Sequence, residues 1–181
     1  SSNLPLYFDA TNEMGLSMAG LNFPDNAEYM DKMDGVDNVS SFEFIPWILM
    51  QCESVRDAYR LLEKINITNE AFNEKLEPSP LHWIIADKIE TVVVEQTKDG
   101  IKVFQDQVGA LTNNPPFDMH LFNLTNYMST TAQEVKNVFS DKIDLRPYSR
   151  GMGGMGLPGD LSSASRFVKT CFLKLNSVFG K

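Results

Sequence analysis

The chain has 181 residues, 43% of them hydrophobic and 22% charged, enough for one domain with a buried core or for part of a larger one. Its 16 Lys and Arg stand against 24 Asp and Glu, a formal net charge of −8. The basic residues are scattered, which argues against nucleic acid or an anionic membrane surface as partner, and no apolar run approaches the ~18 residues of a membrane span.

Residues 4–8 alternate in hydrophobicity and read as a strand. Residues 11–15 supply turn chemistry, and 16–21 form the returning strand of a hairpin. Residues 24–38 are acidic and loop-like. Ser40 or Ser41 is the expected cap of a helix with Glu43 and Pro46 in its first turn. Ser54 to Asp57 is a capping-box-like start, and Val55, Ala58, Leu61, Leu62 and Ile65 continue at helical spacing. Residues 66–80 read as a long loop. Four short β-rich runs follow, 81–86, 91–97, 101–104 and 108–112, the first three separated by Asp87-Lys88 and Lys98-Asp99-Gly100 turns. Residues 117–128 and 161–175 are helical, the latter capped by Ser162 or Ser163. Strands, helices, strands, then helices indicate an α+β fold with an antiparallel sheet rather than βαβ winding.

Two corners carry the most chemical information. Gly20-Leu21-Asn22-Phe23-Pro24 and Leu111-Thr112-Asn113-Asn114-Pro115 each place an asparagine after an apolar run and just before a proline. Such a residue offers a side-chain amide and a backbone N–H, the donors an oxyanion site needs; a plain turn former is the competing reading. Gly151 to Gly156 satisfies G-x-G-x-x-G, but no strand leads into it and the next helix starts only near Leu161. That context favours a flexible or tightly packed glycine loop over a dinucleotide site. His82 lies among buried-type neighbours and reads as a core or loop histidine. No group at ligand spacing supports a metal site, and no cofactor is expected. Cys52 and Cys171 are far apart and lie in apolar stretches, so both read as buried free thiols, which suits a cytoplasmic protein. The sequons at Asn38, Asn66 and Asn123 read as chance.

The ordered set Asn12 to Pro24, Phe44-Ile45-Pro46-Trp47, Ser79-Pro80-Leu81-His82-Trp83, Val94-Glu95-Gln96-Thr97, Leu111 to Pro115, Tyr148 to Gly154 and Gly156 to Phe167 resembles the choloylglycine hydrolase family of bile salt hydrolases and penicillin V acylases. The resemblance implies the αββα sandwich of N-terminal-nucleophile hydrolases. It also implies an N-terminal cysteine whose own α-amino group serves as base, an arrangement that a pKa of ~8 for that amine makes workable near neutral pH. By the same resemblance the Asn22 backbone N–H and the Asn113 amide stabilise the oxyanion. Arg166 places a cation beside the thiolate, and Phe72 and Leu76 line an apolar substrate pocket. A homo-tetramer is implied too, with the stretch 126–159 as the expected place of its contacts.

Ser1-Ser2-Asn3-Leu4-Pro5 matches a segment well inside a family member. The expectation is therefore that residues 1–181 are the central part of one domain, without the nucleophile segment and the last strands. Hydrolysis of glycine- or taurine-conjugated bile salts is the first reading, because penicillin V acylases commonly carry tyrosine where Asn22 stands. Penicillin V or acyl-homoserine-lactone acylase activity is the second. A catalytically inactive piece with a structural or binding role is the third.

Overall fold

The computed structural model describes residues 5–178. The chain divides into two compact units, Ser1–Phe117 and Asp118–Lys181. In the first, β1 (Asp9–Thr11) and β2 (Ser17–Asn22) form the expected hairpin. Asn12 makes the turn. Its Oδ1 accepts from the Met14 and Leu16 N–H groups, and Gly15 takes the positive φ of 85° that the reversal requires. Asn12 Nδ2 donates to the Leu49 and Cys52 carbonyls and so ties the hairpin to the first helix. The strand expected over 4–8 starts instead at Asp9. Residues 5–8 are exposed, so their alternation marks no buried face, and only the Phe8 carbonyl joins the ladder, accepting from Gly20 N–H at 2.8 Å. Leu4 lies outside the described residues.

β3 (Asp37–Ser40) pairs in parallel with β4 (Ile65–Thr68), where loops were expected at both places. Asn66, opposite Asn38 and buried, donates from Nδ2 to Asn38 Oδ1 and to the Asp31 carbonyl. Between these strands lie α1 (Phe44–Leu49) and α2 (Val55–Leu62). The N-cap of α1 is Glu43, not Ser40 or Ser41. Ser40 ends β3, and its hydroxyl donates to Glu43 Oε2 rather than accepting from a helix N–H. Pro46 sits in the first turn, where a missing N–H costs nothing. The cap of α2 is Ser54 as expected, accepting from Asp57 N–H and donating to Asp57 Oδ2. That helix stops at Leu62, and Ile65 belongs to β4 instead.

β5 (Leu81–Ala86), β6 (Thr91–Thr97) and β7 (Gly100–Gln105) complete a five-stranded sheet in the order β1-β2-β5-β6-β7, antiparallel throughout. Leu16, Met18, Trp83, Ile85, Val92 and Val94 point to one face, and α1 and α2 close over them with Phe44, Ile45, Ile48, Val55, Ala58 and Leu62. Phe44 meets Trp83 edge-on at 4.8 Å. Across the sheet a Cβ on Gly20 would come within 3.1 Å of the Trp83 indole, so a larger residue there would press the ring aside by a few tenths of an ångström. The alternate residues His82, Val93 and Glu95 are buried on the opposite face.

The fourth expected strand, 108–112, is not one. Val108, Ala110 and Thr112 are buried in alternation, but Asp106 takes the backbone hydrogen bonds of this segment. Its carboxylate accepts from the N–H groups of Val108, Gly109 and Ala110, each at 2.9 Å.

Asp87 performs a similar service at the β5–β6 turn. Its Oδ1 accepts from Ile89 and Glu90 N–H, and its Oδ2 from Val55 N–H, the first residue of α2. Burial pushes the carboxyl up, but the hydrogen bonds from Val55, Glu90 and Ile89 outweigh it and hold the group below the usual carboxylate value. A depressed folded-state pKa stabilises above the unfolded value and is lost as pH falls through the folded one. Stability should therefore drop below about pH 4, and the drop should be shallower in Asp87→Asn, read as urea midpoints against pH. Parallel curves for the two proteins would remove Asp87 from the account.

In the second unit, α3 (Phe117–Leu124) enters from the end of the first and runs into a 3-10 turn at Thr125–Tyr127, close to the expected 117–128. α4 (Ser163–Asn176) is capped by Ser162. Asp160 accepts from Ser162 N–H and Ser165 Oγ, and these bonds hold its carboxyl well below the usual range. His120 of α3 stacks on Phe167 of α4 at 4.5 Å. The glycine loop is packed at Gly153, while Gly151 and Gly156 at its ends are exposed. It forms a 3-10 turn at Met152–Gly154, Gly153 O accepts from Thr131 N–H, and a Cβ on Gly153 would collide with the Thr131 carbonyl. No helix among the described residues is long and apolar enough to cross a membrane.

Candidate active site

β2 ends at Asn22. Phe23 N–H donates to the Pro80 carbonyl at 2.8 Å. In an antiparallel ladder alternate residues turn their backbone groups to opposite neighbours. The Asn22 N–H and carbonyl therefore turn away from β5, to the β1 side and past the last rung between Gly20 and Phe8. The second asparagine corner arrives there from the Asp106 loop. Asn113 Nδ2 donates to the Asn22 carbonyl at 3.0 Å, and Asn114 Nδ2 donates to the Pro24 carbonyl at 2.8 Å. Two corners 91 positions apart are thus clamped by a pair of hydrogen bonds from side-chain amides. Asn113 stands at the end of a carboxylate-bound loop rather than of a strand.

The segment between β4 and β5 is compact. Asn73 Oδ1 accepts from Lys75 and Leu76 N–H, while Phe72 N–H donates to the Leu76 carbonyl. That turn sets Phe72 and Leu76 side by side. Tyr29 fastens the segment to β5: its hydroxyl donates to the Ser79 carbonyl at 2.7 Å and accepts from Leu81 N–H at 2.9 Å. Burial pushes the phenol up to about 12, so it stays protonated and keeps donating.

Asn22, Phe72 and Leu76 line one cleft of about 230 Å³, together with Tyr7, Phe8 and Phe42. A neighbouring cleft of about 380 Å³ against α1 shares Tyr7, Phe42 and Phe72 with it. Phe42 and Phe72 meet edge-to-face at 5.0 Å on the common wall. Tyr7 and Leu76 are about half exposed and Phe8 is 80% exposed, so the walls are apolar and open, the character of a small-molecule site. Tyr7, Phe8 and Phe42 escaped sequence reasoning. Tyr7 and Phe8 looked like strand residues and Phe42 like the entry to a helix, and only the fold gives them a common cavity.

Arg166 belongs to the second unit, exposed in the first turn of α4, where its Nε donates to the Leu161 carbonyl at 3.1 Å. Both cysteines are free and buried. Burial pushes the Cys52 thiol up to about 11, with the nearby Asp57 charge acting in the same direction, so it is un-ionised at neutral pH. Among the described residues no cluster of His, Cys, Asp and Glu could hold a metal.

The first unit is thus an antiparallel α+β layer that sets paired amide corners beside an apolar cleft. The chain belongs to the linear amide C–N hydrolases, choloylglycine hydrolase family, whose profile matches residues 1–179. It is 53% identical over 174 residues to the bile salt hydrolase/transferase of Lactiplantibacillus plantarum, covering 96% of this chain and 54% of that protein. The conjugated bile acid hydrolase of Lactobacillus gasseri is 42% identical over 174 residues, covering 95% and 55%. Among solved structures, a variant of conjugated bile acid hydrolase from Clostridium perfringens superposes with a TM-score of 0.87 at 36% identity, over 96% of this chain and 54% of that one. Penicillin V acylase from Agrobacterium tumefaciens shares the fold, with a TM-score of 0.69 at 22% identity over 94% and 45%. The chain spans about half the length of the relatives it matches.

Proposed function

We propose that the protein carrying this chain hydrolyses the amide bond of glycine- or taurine-conjugated bile salts. The observation that supports this most is that Asn22, held to Asn113 at 3.0 Å, lines the same apolar cleft as Phe72 and Leu76. A rigid apolar body fits the aromatic walls, and its amide then lies at the two corners. There the Asn22 N–H and the Asn113 amide act as oxyanion donors. Donors fixed before the reaction stabilise developing charge without reorganising at the moment it forms. Arg166 supplies the cation that favours a thiolate nucleophile, and the active protein is a cytoplasmic homo-tetramer that needs no cofactor.

The nucleophile is neither thiol described here. Cys52 is un-ionised by burial and Cys171 is buried, and a thiol acts as nucleophile in its ionised, accessible form. In the whole protein Cys52→Ala and Cys171→Ala should both leave turnover unchanged, and residues 1–181 alone should release no amino acid from taurocholate. A loss of more than ~10-fold in Cys52→Ala would assign the nucleophile to that thiol.

Turnover of glycocholate, taurocholate and penicillin V by the whole protein tests the substrate. Release of glycine or taurine with little cleavage of penicillin V is expected. The reverse preference would replace the proposal with an acylase acting at the same amides.

A further inference from the structure

The two asparagine corners are joined a second time, beneath the surface, by a buried pair the proposed reaction does not use. His82 of β5 and Glu95 of β6 are 0% and 1% exposed. They lie on the sheet face opposite α1 and α2, and His82 Nδ1 is 3.1 Å from Glu95 Oε1. The His82 ring stacks flat on Phe23, with centroids 4.3 Å apart and planes 6° from parallel. Phe23 is the residue after Asn22. The same oxygen of Glu95 accepts from Phe117 N–H at 2.9 Å, where the loop bearing Asn113 ends. Asp106 grips the other end of that loop through Val108, Gly109 and Ala110. One carboxylate oxygen therefore reaches the Asn22 corner through His82 and Phe23, and the Asn113 corner through Phe117.

We infer that Glu95, acting with His82, is a positioning residue that sets the separation and orientation of the Asn22 and Asn113 donors. The inference rests on the oxyanion reading of those amides. A carboxylate accepting from both groups leaves neither N–H buried without a partner, and a polar group stranded in the interior is costly. Core filling alone does not call for this pair: apolar residues at both positions would fill the same space, but they would strand the Phe117 N–H. What the pair adds is a directional link between two segments far apart in sequence. The Asn113 amide can donate to an oxyanion only if its plane is held, and a displacement of about 1 Å in such a group costs ~10²-fold in rate.

The test uses the whole protein and three variants. Glu95→Gln keeps an amide oxygen where Oε1 stands, so its kcat should stay near wild type. Glu95→Ala removes the acceptor and should lower kcat ~10²-fold with KM unchanged, since the cleft walls are untouched. His82→Phe keeps a ring against Phe23 but removes the Nδ1 that meets Glu95, leaving the carboxylate its bond from Phe117 N–H, and should lower kcat in the same direction. Crystal structures give a readout independent of substrate. The Asn113 Nδ2 to Asn22 O contact of 3.0 Å should persist in Glu95→Gln and lengthen beyond hydrogen-bond range in Glu95→Ala. Should Glu95→Ala fail to fold, the kcat and contact distance of His82→Phe, set against Glu95→Gln, decide the matter. An intact contact with wild-type kcat in Glu95→Ala or His82→Phe overturns the inference, as does a Glu95→Gln variant as slow as Glu95→Ala. If the whole protein cleaves neither conjugated bile salts nor penicillin V, the proposed function falls while the crystallographic contact still judges the positioning.

Discussion

Replacing Asn113 by alanine in the whole protein should lower kcat by ~10²–10³-fold, the usual loss for one oxyanion donor. The same substitution should cost about 1 kcal/mol of stability or less. The two effects separate because of where the side chain sits. The bond from Asn113 to the Asn22 carbonyl is exposed, and an exposed carbonyl that loses its donor is met by water. Its neighbour Asn114 still holds the corner through the Pro24 carbonyl. KM should change little, because Phe72, Leu76 and Phe42 form the cleft walls independently of the amide. Measuring kcat, KM and the urea midpoint on one preparation checks all three. Wild-type kcat in the variant would falsify the oxyanion role. A stability loss matching the rate loss would reduce Asn113 to a structural clamp.

The parts of this fold that were legible in the sequence are those whose signal is local. Ser54 capped its helix as read, because the cap and the residue it serves are three positions apart. The runs that became β5, β6 and β7 announced themselves by β-branched residues between short turns. The misread parts were decided by partners far away. Ile65 continued the apolar spacing of α2, yet it pairs with Asp37 across a parallel ladder that no local pattern reveals. Residues 108–112 alternate like a strand, but a carboxylate beside them claimed their N–H groups before a neighbouring strand could. The site divides in the same way. Each asparagine-proline corner was visible as a motif, and the family resemblance suggested that they cooperate. The resemblance also implied that Phe72 and Leu76 line the substrate pocket, whereas the 3.0 Å bond between Asn113 and Asn22, the share of Tyr7, Phe8 and Phe42 in the cleft with Asn22, and the buried Glu95 follow only from the folded sheet.

Asp106 carries a large stability effect for a single polar side chain. It is 5% exposed, and its carboxylate accepts from the N–H groups of Val108, Gly109 and Ala110, while its own N–H donates to the Thr91 carbonyl. Val108 and Ala110 are themselves buried, so water cannot easily replace the lost acceptor. A buried donor left without a partner costs about 1–3 kcal/mol, and Asp106→Ala strands at least two. The expected loss is therefore about 3 kcal/mol or more, a large share of the ~5–15 kcal/mol that holds a typical domain folded. Asp106→Asn should lose less. Its Oδ1 can still accept from Val108 and Gly109, while the bond from Ala110 and the charge on the acceptor are given up. The predicted order, wild type above Asp106→Asn above Asp106→Ala, can be read from urea denaturation of the whole protein with the m-value held constant. The rate should follow the same order, because this loop carries Asn113. Equal midpoints for wild type and Asp106→Ala would mean that the segment 108–110 finds other acceptors, and the account of why it is a loop and not a fourth strand would fail with them.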